Sequence, residues 1–216
     1  MSQTRCPRVL LADDHLLVAE ALKSMLAAEF DLVGVVSDGR AMLEAAQTLR
    51  PDVIVADVTM PHLNGIDALV RLREDGNPVP VVFLTMHRDV TFARRALEAG
   101  AAGFVLKHSA SVELVAAIRA ALDGNTYITP LLAGEVLDAM KQTPEKAADP
   151  VRSLTPRQRE VLQLLAEGRS AKEIAHSLAI SARTVEFHKY QMMEKLDIHT
   201  NAELIHFAIK HGLVEL

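Results

Sequence analysis

The sequence predicts an α/β domain built on a five-stranded parallel sheet, followed by an all-α domain of four helices. Three observations carry this reading. Short runs rich in Val, Ile and Leu recur five times in the first half of the chain. Helix-patterned stretches separate them. Beyond a polar, proline-bearing stretch the apolar residues keep helical spacing to the end, and the same capping signature opens three of the repeats.

The five runs are residues 9–12, 32–36, 53–56, 81–84 and 103–106. They are continuous rather than alternating, the pattern of strands buried on both faces of a parallel sheet. Between the first two, residues 15–29 set Leu16, Ala19, Leu22, Met25 and Leu26 on one helical face. Residues 40–49 and 90–99 behave similarly, and 111–122 carries Leu114, Val115, Ile118 and Leu122. Alternating strand and helix gives an open sheet with helices on both faces.

Residues 141–153, KQTPEKAADPVRS, break every period and read as a linker. Residues 130–140 before them read as one more helix, started by Pro130 in its first turn. The chain divides accordingly into 1–126, a linker helix and linker at 127–153, and 154–216. In the last segment Thr155 with Gln158, Ser170 with Glu173, and Thr200 with Glu203 each match a capping box, and Pro156 takes a first helical position. Ser181 is a simpler N-cap and Gly212 a C-terminal stop. The expected helices are 156–167, 171–178, 182–196 and 201–211.

Composition narrows the class. Half of the 216 residues are apolar and 24% charged, as in ordinary globular proteins. Cys6 is the sole cysteine, which rules out an intrachain disulfide and suits a reducing cytosol. The apolar run at 9–12 is too short for a signal-peptide core, and no stretch approaches the roughly 20 apolar residues of a membrane helix. A soluble, cytoplasmic protein without membrane partners is expected. The net charge of -5 is uneven: residues 151–216 hold 9 Lys/Arg against 8 Asp/Glu, leaving 14 against 20 in the rest. So weak a positive balance permits nucleic-acid binding without arguing for it.

The chemistry-bearing residues of the first half share a location. Asp13 and Asp14 follow the first strand, Asp57 ends the third, Thr85 the fourth and Lys107 the fifth. Open α/β sheets bind ligands beyond the carboxyl ends of their strands, where strand order reverses. In the flavodoxin-like order 2-1-3-4-5, that point lies between strands one and three. Three carboxylates there need a cation, and oxygen ligands at a hydrated site suit Mg²⁺. With a lysine beside it, such a site attracts a phosphoryl group and steadies its oxygens. Asp57 is then the nucleophile, Lys107 with the metal the charge clamp, and Thr85 a hydroxyl donor. Taken singly, Asp13 and Asp14 read as helix caps, Thr85 as a β-former and Lys107 as a solvated end. Their coincidence at four strand ends points to a site.

The pattern resembles the receiver domain of two-component response regulators over residues 7–125. The markers are Asp13-Asp14, Asp57 followed by Met60-Pro61 and Gly65, Thr85 and Lys107. The runs LTMH at 84–87 and AGAAGFVLK at 99–107 are similar to the NarL/FixJ subfamily. The resemblance implies that Asp14 and Asp57 hold Mg²⁺ directly, Asp13 mainly through water, and the Thr59 carbonyl completes the protein ligands. It also implies a switch in which Thr85 moves toward the phosphoryl and Phe104 turns inward; the residues alone equally read Phe104 as a core aromatic. Thr59 and His87 flank the expected phosphoryl site and are expected to tune its hydrolysis. His108 follows the lysine where many receivers have proline, so a trans peptide is expected.

In the second half, residues 171–178, a turn at 179–181 and residues 182–196 fit a helix-turn-helix. Val185, Met192 and Leu196 face its core, which leaves Arg183, Glu186, Phe187, Tyr190, Gln191 and Glu194 outside. Residues 154–162, Gly168, 172–175, Thr184-Val185, His188 and Lys195-Leu196 resemble the LuxR-type DNA-binding domain over about 153–216. The resemblance implies phosphate contacts from Lys172 and Thr184; with the second helix in the major groove, its outward N-terminal residues Arg183, Glu186, Phe187 and Tyr190 are the candidates for reading bases, and Lys189 and Tyr190 for backbone contacts. Ala171 replaces a frequent Asn. Glu186 replaces a common basic residue, and a carboxylate there accepts from a cytosine amino group. The last helix is expected to dimerise the domain.

The whole reads as a DNA-binding response regulator of a two-component system, not an enzyme beyond its own phosphorylation and slow dephosphorylation. A histidine kinase would phosphorylate Asp57, and a homodimer, formed on phosphorylation or DNA binding, would hold double-stranded promoter DNA. Two alternatives fit the sequence less well. An aspartate-nucleophile phosphatase would want a second acid two residues after Asp57, where Thr59 stands. A constitutive DNA-binding dimer would leave the acidic set without a task. A helical interaction module is the bland reading of the second domain.

Overall fold

The computed structural model describes residues 5–86, 88–141 and 150–214. Most of the predicted linker, and His87, lie outside the described residues. The N-terminal sheet is parallel throughout, in the order β2-β1-β3-β4-β5-β6. Its strands are β1 (Arg8–Ala12), β2 (Asp31–Val36), β3 (Val53–Asp57), β4 (Val81–Thr85), β5 (Gly103–Leu106) and β6 (Tyr127–Ile128). β3, β4 and β5 are buried at every residue, which accounts for their continuous apolar runs.

Two cores sandwich the sheet. On one face, α1 (Leu16–Ala27) and α5 (Ala110–Leu122) pack Leu22, Leu26, Leu114 and Ile118 onto Val55, Val82 and Val105. On the other, α2 (Gly39–Leu49), α3 (Gly65–Glu74) and α4 (Val90–Glu98) cover Ile54, Phe83 and Phe104. Asp38, Asn64 and Asp89 cap the second group, each accepting from the first helical turn.

The sheet has six strands where five were expected. β6 lies inside the stretch read as linker, where it pairs with β5: Tyr127 N–H donates to the Ala102 carbonyl and Thr129 N–H to the Phe104 carbonyl. Two residues are too few for a periodic signal. Gly103 is fitted to the pairing, because a Cβ there would lie 3.1 Å from Val82 and 3.4 Å from the Tyr127 carbonyl. α6 (Pro130–Lys141) follows and buries Leu132 and Val136 in the core that holds α4.

The C-terminal domain is formed by α7 (Pro156–Ala166), α8 (Ala171–Leu178), α9 (Ala182–Leu196) and α10 (Asn201–Lys210) around Leu162, Ile174, Val185, Met192 and Leu204. All three capping boxes form with both reciprocal bonds, and Ser181 caps α9 through the Thr184 N–H. α8 ends on Ala179 at φ 52, a left-handed residue that turns the chain into α9. α7 packs against α3, so the two domains touch along the helix that follows β3.

Candidate functional site: an acidic pocket and an exposed recognition helix

The acidic pocket sits at the carboxyl ends of β1, β3 and β5. Lys107, in a single turn of 3-10 helix after β5, reaches back between two strands. Its Nζ lies 2.5 Å from Asp57 Oδ2 and 2.8 Å from Asp13 Oδ2. Burial opposes the charge on Lys107, yet Asp57 and Asp13 together hold its ammonium above the usual lysine range. The peptide between Lys107 and His108 is trans, as expected.

His15, which sequence reasoning passed over, is the fifth member. Its Nδ1 lies 3.1 Å from Asp14, 3.4 Å from Asp13 and 3.7 Å from Asp57, and its N–H donates to Asp13 Oδ1 at 2.9 Å. The signal was its place directly after the acidic pair. Oxygens of Asp13, Asp14 and Asp57 and the His15 nitrogen all fall within 4.8 Å of one another. The three converging carboxylates form an oxygen donor set that fits a hard divalent cation, with the Lys107 ammonium beside it as a fixed counter-charge rather than a ligand. Thr59 sits beside them, its N–H 3.4 Å from Asp57 Oδ1 and its buried hydroxyl without a partner.

Thr85 is buried at the end of β4, one residue beyond Leu84, which pairs with Asp57 in register. Phe104 is fully buried in the α3/α4 core and pairs with Phe83 and Ile128, so its ring already lies inward here. Gly65 holds α3 against the pocket. A Cβ there would come 2.1 Å from the Asp57 carbonyl, so no other residue fits without moving the strand end.

The second site is α9. Arg183, Phe187 and Tyr190 are exposed on its outer face, the two rings by 57% and 64%. Lys172 is exposed on α8, and the Thr184 hydroxyl is 2.8 Å from that of Ser181. Lys189 pairs with Glu186, its Nζ 2.6 Å from that carboxylate and 5.1 Å from the Tyr190 ring centre.

Between the two sites lies a polar contact that sequence reasoning missed altogether. Arg71 grips Glu160 with two bonds, of 2.6 and 2.9 Å, and Arg157 reaches the other oxygen at 2.8 Å. Arg159 meets the buried Asp67 at 2.5 Å. The turn after α10 closes on α4, where the His211 carbonyl accepts from Arg95 and Gly212 lies against the Phe92 ring. None of these polar residues carries a sequence signal, because each looks like a solvated position on an amphipathic helix.

An acidic pocket at the strand ends of a parallel sheet, joined to a helix-turn-helix domain, is the architecture of a two-domain regulator of the DNA-binding class. The family described as "Response regulator receiver domain" matches residues 9–119, and "Bacterial regulatory proteins, luxR family" matches 152–208. The chain belongs to the response regulators of the LuxR (NarL/FixJ) family. It is 38% identical to the transcriptional regulatory protein MctR of Rhizobium johnstonii, over 96% of this chain and 95% of that one. It is 34% identical to the response regulator UvrY of Escherichia coli, over 95% and 94%. Among solved structures it is similar to RcsB of Salmonella typhimurium, with 25% identity and a TM-score of 0.65 over 97% of this chain and all of that one. Among the described residues no helix is long and apolar enough to cross a membrane.

Proposed function

We propose that this regulator, in the cytoplasm, accepts a phosphoryl group on Asp57 from a histidine kinase and thereby controls dimerisation and promoter binding. In the transfer an Asp57 oxygen attacks phosphorus while the P–N bond of the donor phosphohistidine breaks. The electron pair leaves on the imidazole, and an acyl phosphate forms. Asp13, Asp14, Asp57 and the Thr59 carbonyl are the residues to hold Mg²⁺, which supplies charge neutralisation at the phosphoryl oxygens. Lys107 supplies the fixed positive charge. Thr85 is the donor that closes on the phosphoryl, and Phe104, on the neighbouring strand, packs behind it in the switched state. Water later cleaves the acyl phosphate, with Thr59 at the pocket's edge tuning the rate. Nothing beyond this self-phosphorylation and slow dephosphorylation calls for an enzyme.

On the DNA side, Lys172 and Thr184 contact phosphates, while Arg183, Glu186, Phe187 and Tyr190 meet the major groove. Lys189 steadies the Glu186 carboxylate, which accepts from a cytosine amino group. RcsB, described for its conformational dynamism in DNA interaction, supports this use of the domain. A dimer through α10 would span half-sites about 34 Å apart.

The observation that carries the reading is the Lys107 ammonium bridging Asp57 and Asp13 at 2.5 and 2.8 Å. Labelling with acetyl phosphate and Mg²⁺, resolved on a phosphate-affinity gel, tests it. Wild type should shift and Asp57→Asn should not; labelling of the variant to the same stoichiometry ends the proposal. The exposed α9 favours a second reading, in which DNA binding needs no unmasking and phosphorylation acts through dimerisation alone. Equal operator affinity of wild type and Asp57→Asn, phosphorylated or not, would carry neither reading and would leave a constitutive binder.

A further inference from the structure

Lys107 is carried on a turn with little fastening of its own. Neither that turn nor the start of α5 behind it has a side-chain cap. His108, unlike a proline, does not fix its own φ. What secures the turn comes from Thr129, a fully buried residue that joins β6 to α6. The Thr129 hydroxyl accepts from the Leu106 N–H at 3.2 Å and donates to Glu113 Oε2 at 2.8 Å. Leu106 directly precedes Lys107 and pairs in register with Thr85 on β4. Glu113 lies in the first turn of α5 and also accepts from the Tyr127 hydroxyl at 3.3 Å. One hydroxyl therefore ties both ends of the lysine turn to β6.

That hydroxyl is itself held from two sides. Thr129 N–H donates to the Phe104 carbonyl at 2.9 Å, continuing the β6 pairing, and its carbonyl accepts from the Leu132 N–H at 2.9 Å, opening α6. A β-branched side chain on so constrained a backbone has few rotamers. Leu106 is fully buried, and β6 ends before reaching it, since β5 and β6 pair only through Gly103 and Phe104. Without the hydroxyl its N–H has no partner on that side, and an unpaired buried amide is costly enough that the chain moves to find one. The Lys107 ammonium stands 2.5 Å from Asp57 and 2.8 Å from Asp13, contacts that a shift of the turn would lengthen.

We infer that Thr129, steadied by Glu113, is a positioning residue for phosphoryl transfer: its hydroxyl fixes the end of β5 and, through it, the place of the Lys107 ammonium against Asp57. The inference deepens the phosphoacceptor reading and rests on it. A fixed cation stabilises the transferring oxygens only where their charge develops, so a displacement of about an ångström is felt in the rate. Thr129 acts through Lys107 and not on the reacting atoms.

The test uses the full chain and two measurements. The ammonium signal of Lys107, assigned with Lys107→Arg, is followed by heteronuclear NMR without Mg²⁺ or donor. The initial rate of labelling by acetyl phosphate is measured at fixed Mg²⁺. Thr129→Val keeps the shape and loses the hydroxyl: the Lys107 signal should move, and labelling should slow roughly tenfold. Thr129→Ser restores the hydroxyl and should return both toward wild type. Glu113→Ala, at a partly exposed site, should move the signal in the same direction and slow labelling less. An unmoved Lys107 signal in folded Thr129→Val overturns the inference, as does a moved signal with labelling at the wild-type rate. Thr129→Ser that labels no faster than Thr129→Val does the same, since the hydroxyl would then not be the cause. If Thr129→Val fails to fold, Glu113→Ala decides, and an unmoved signal there overturns the inference. Wild type that takes no label would instead remove Asp57 as the acceptor and the inference with it, a failure seen before any variant is compared.

Discussion

Helices α7 and α9 belong to one small domain and invert the usual distribution of polar and apolar side chains in opposite ways. α7 buries Gln158, Glu160 and Gln163, polar residues that ordinarily face water. α9 exposes Phe187 and Tyr190, the large rings that ordinarily avoid it. Each inversion marks a partner. The partner of α7 is already in the chain: Arg71 satisfies Glu160, and Met60 and Asn64 satisfy Gln163, while Gln158 bonds within its own domain to Thr155 and Gln191. The partner of α9 is not; on the proposed function it is double-stranded DNA, whose major groove would offer base-edge donors to Glu186 and thymine methyls to Phe187.

The sharpest way to break this comparison is to remove Glu160. Three arginines, Arg71, Arg157 and Arg40, converge on its carboxylate. Glu160→Ala leaves them crowded without their counter-charge; because the arginines are partly exposed, the cost falls below the about 3 kcal/mol of a fully buried pair. The domains of the variant should separate, read as an increased radius of gyration, and the main unfolding transition should split in calorimetry. DNA affinity per domain should hold, because Arg183, Phe187 and Tyr190 on the outer face of α9 are already exposed. A compact Glu160→Ala protein would mean that the remaining α7 contacts, through Arg159 and Gln163, suffice to join the domains.

The converse variant is Phe187→Ala. An exposed ring contributes little to the fold, so the melting temperature should stay within the small range typical of surface changes. Operator affinity should drop roughly tenfold, the size of one lost base contact, measured by fluorescence anisotropy at fixed salt. Unchanged affinity would make the exposed ring a surface without a nucleic-acid role.

Legibility from sequence divides along the same line. The helix boundaries of the C-terminal domain were readable to within a residue because capping is local chemistry: Thr155, Ser170 and Thr200 stand directly before their helices and pair with the residue three positions on. β3, β4 and β5 were readable because burial on both faces leaves continuous apolar runs. Asp57, Asp13 and Lys107 were readable because strand ends converge once the topology is known. The limit of each undelimited element is equally physical. β6 is two residues long and exists only by pairing with β5, and α3 was left without bounds although Asn64 caps it. The docking of α7 was invisible, since Glu160 and Gln163 carry no mark that distinguishes a solvated polar residue from one bonded to another domain.

Within the C-terminal domain, Thr200→Ala removes one half of a capping box at the start of α10. It should cost about 1 kcal/mol of domain stability without altering the α7 contacts, and urea denaturation would show it as a lower midpoint. A loss no larger than that of an arbitrary surface substitution would mean that packing against α7 alone fixes α10.

The smallest expected effect is a pH dependence at His188, which points from α9 toward α7 rather than toward DNA. Burial lowers its pKa below the ordinary value, and Arg157 lowers it further. Its Nδ1 is buried without a hydrogen-bond partner. The fold therefore prefers the neutral ring. Between the lowered folded pKa and the unfolded value near 6.5, the unfolded chain binds more protons, so stability is full above the unfolded value and is lost as pH falls through the folded one. The thermal midpoint of the C-terminal transition should fall between pH 7 and pH 5 more steeply in wild type than in His188→Asn. Parallel pH profiles for the two proteins would assign the acid sensitivity to the other histidines, and would remove His188 from the contacts that tie α9 to α7.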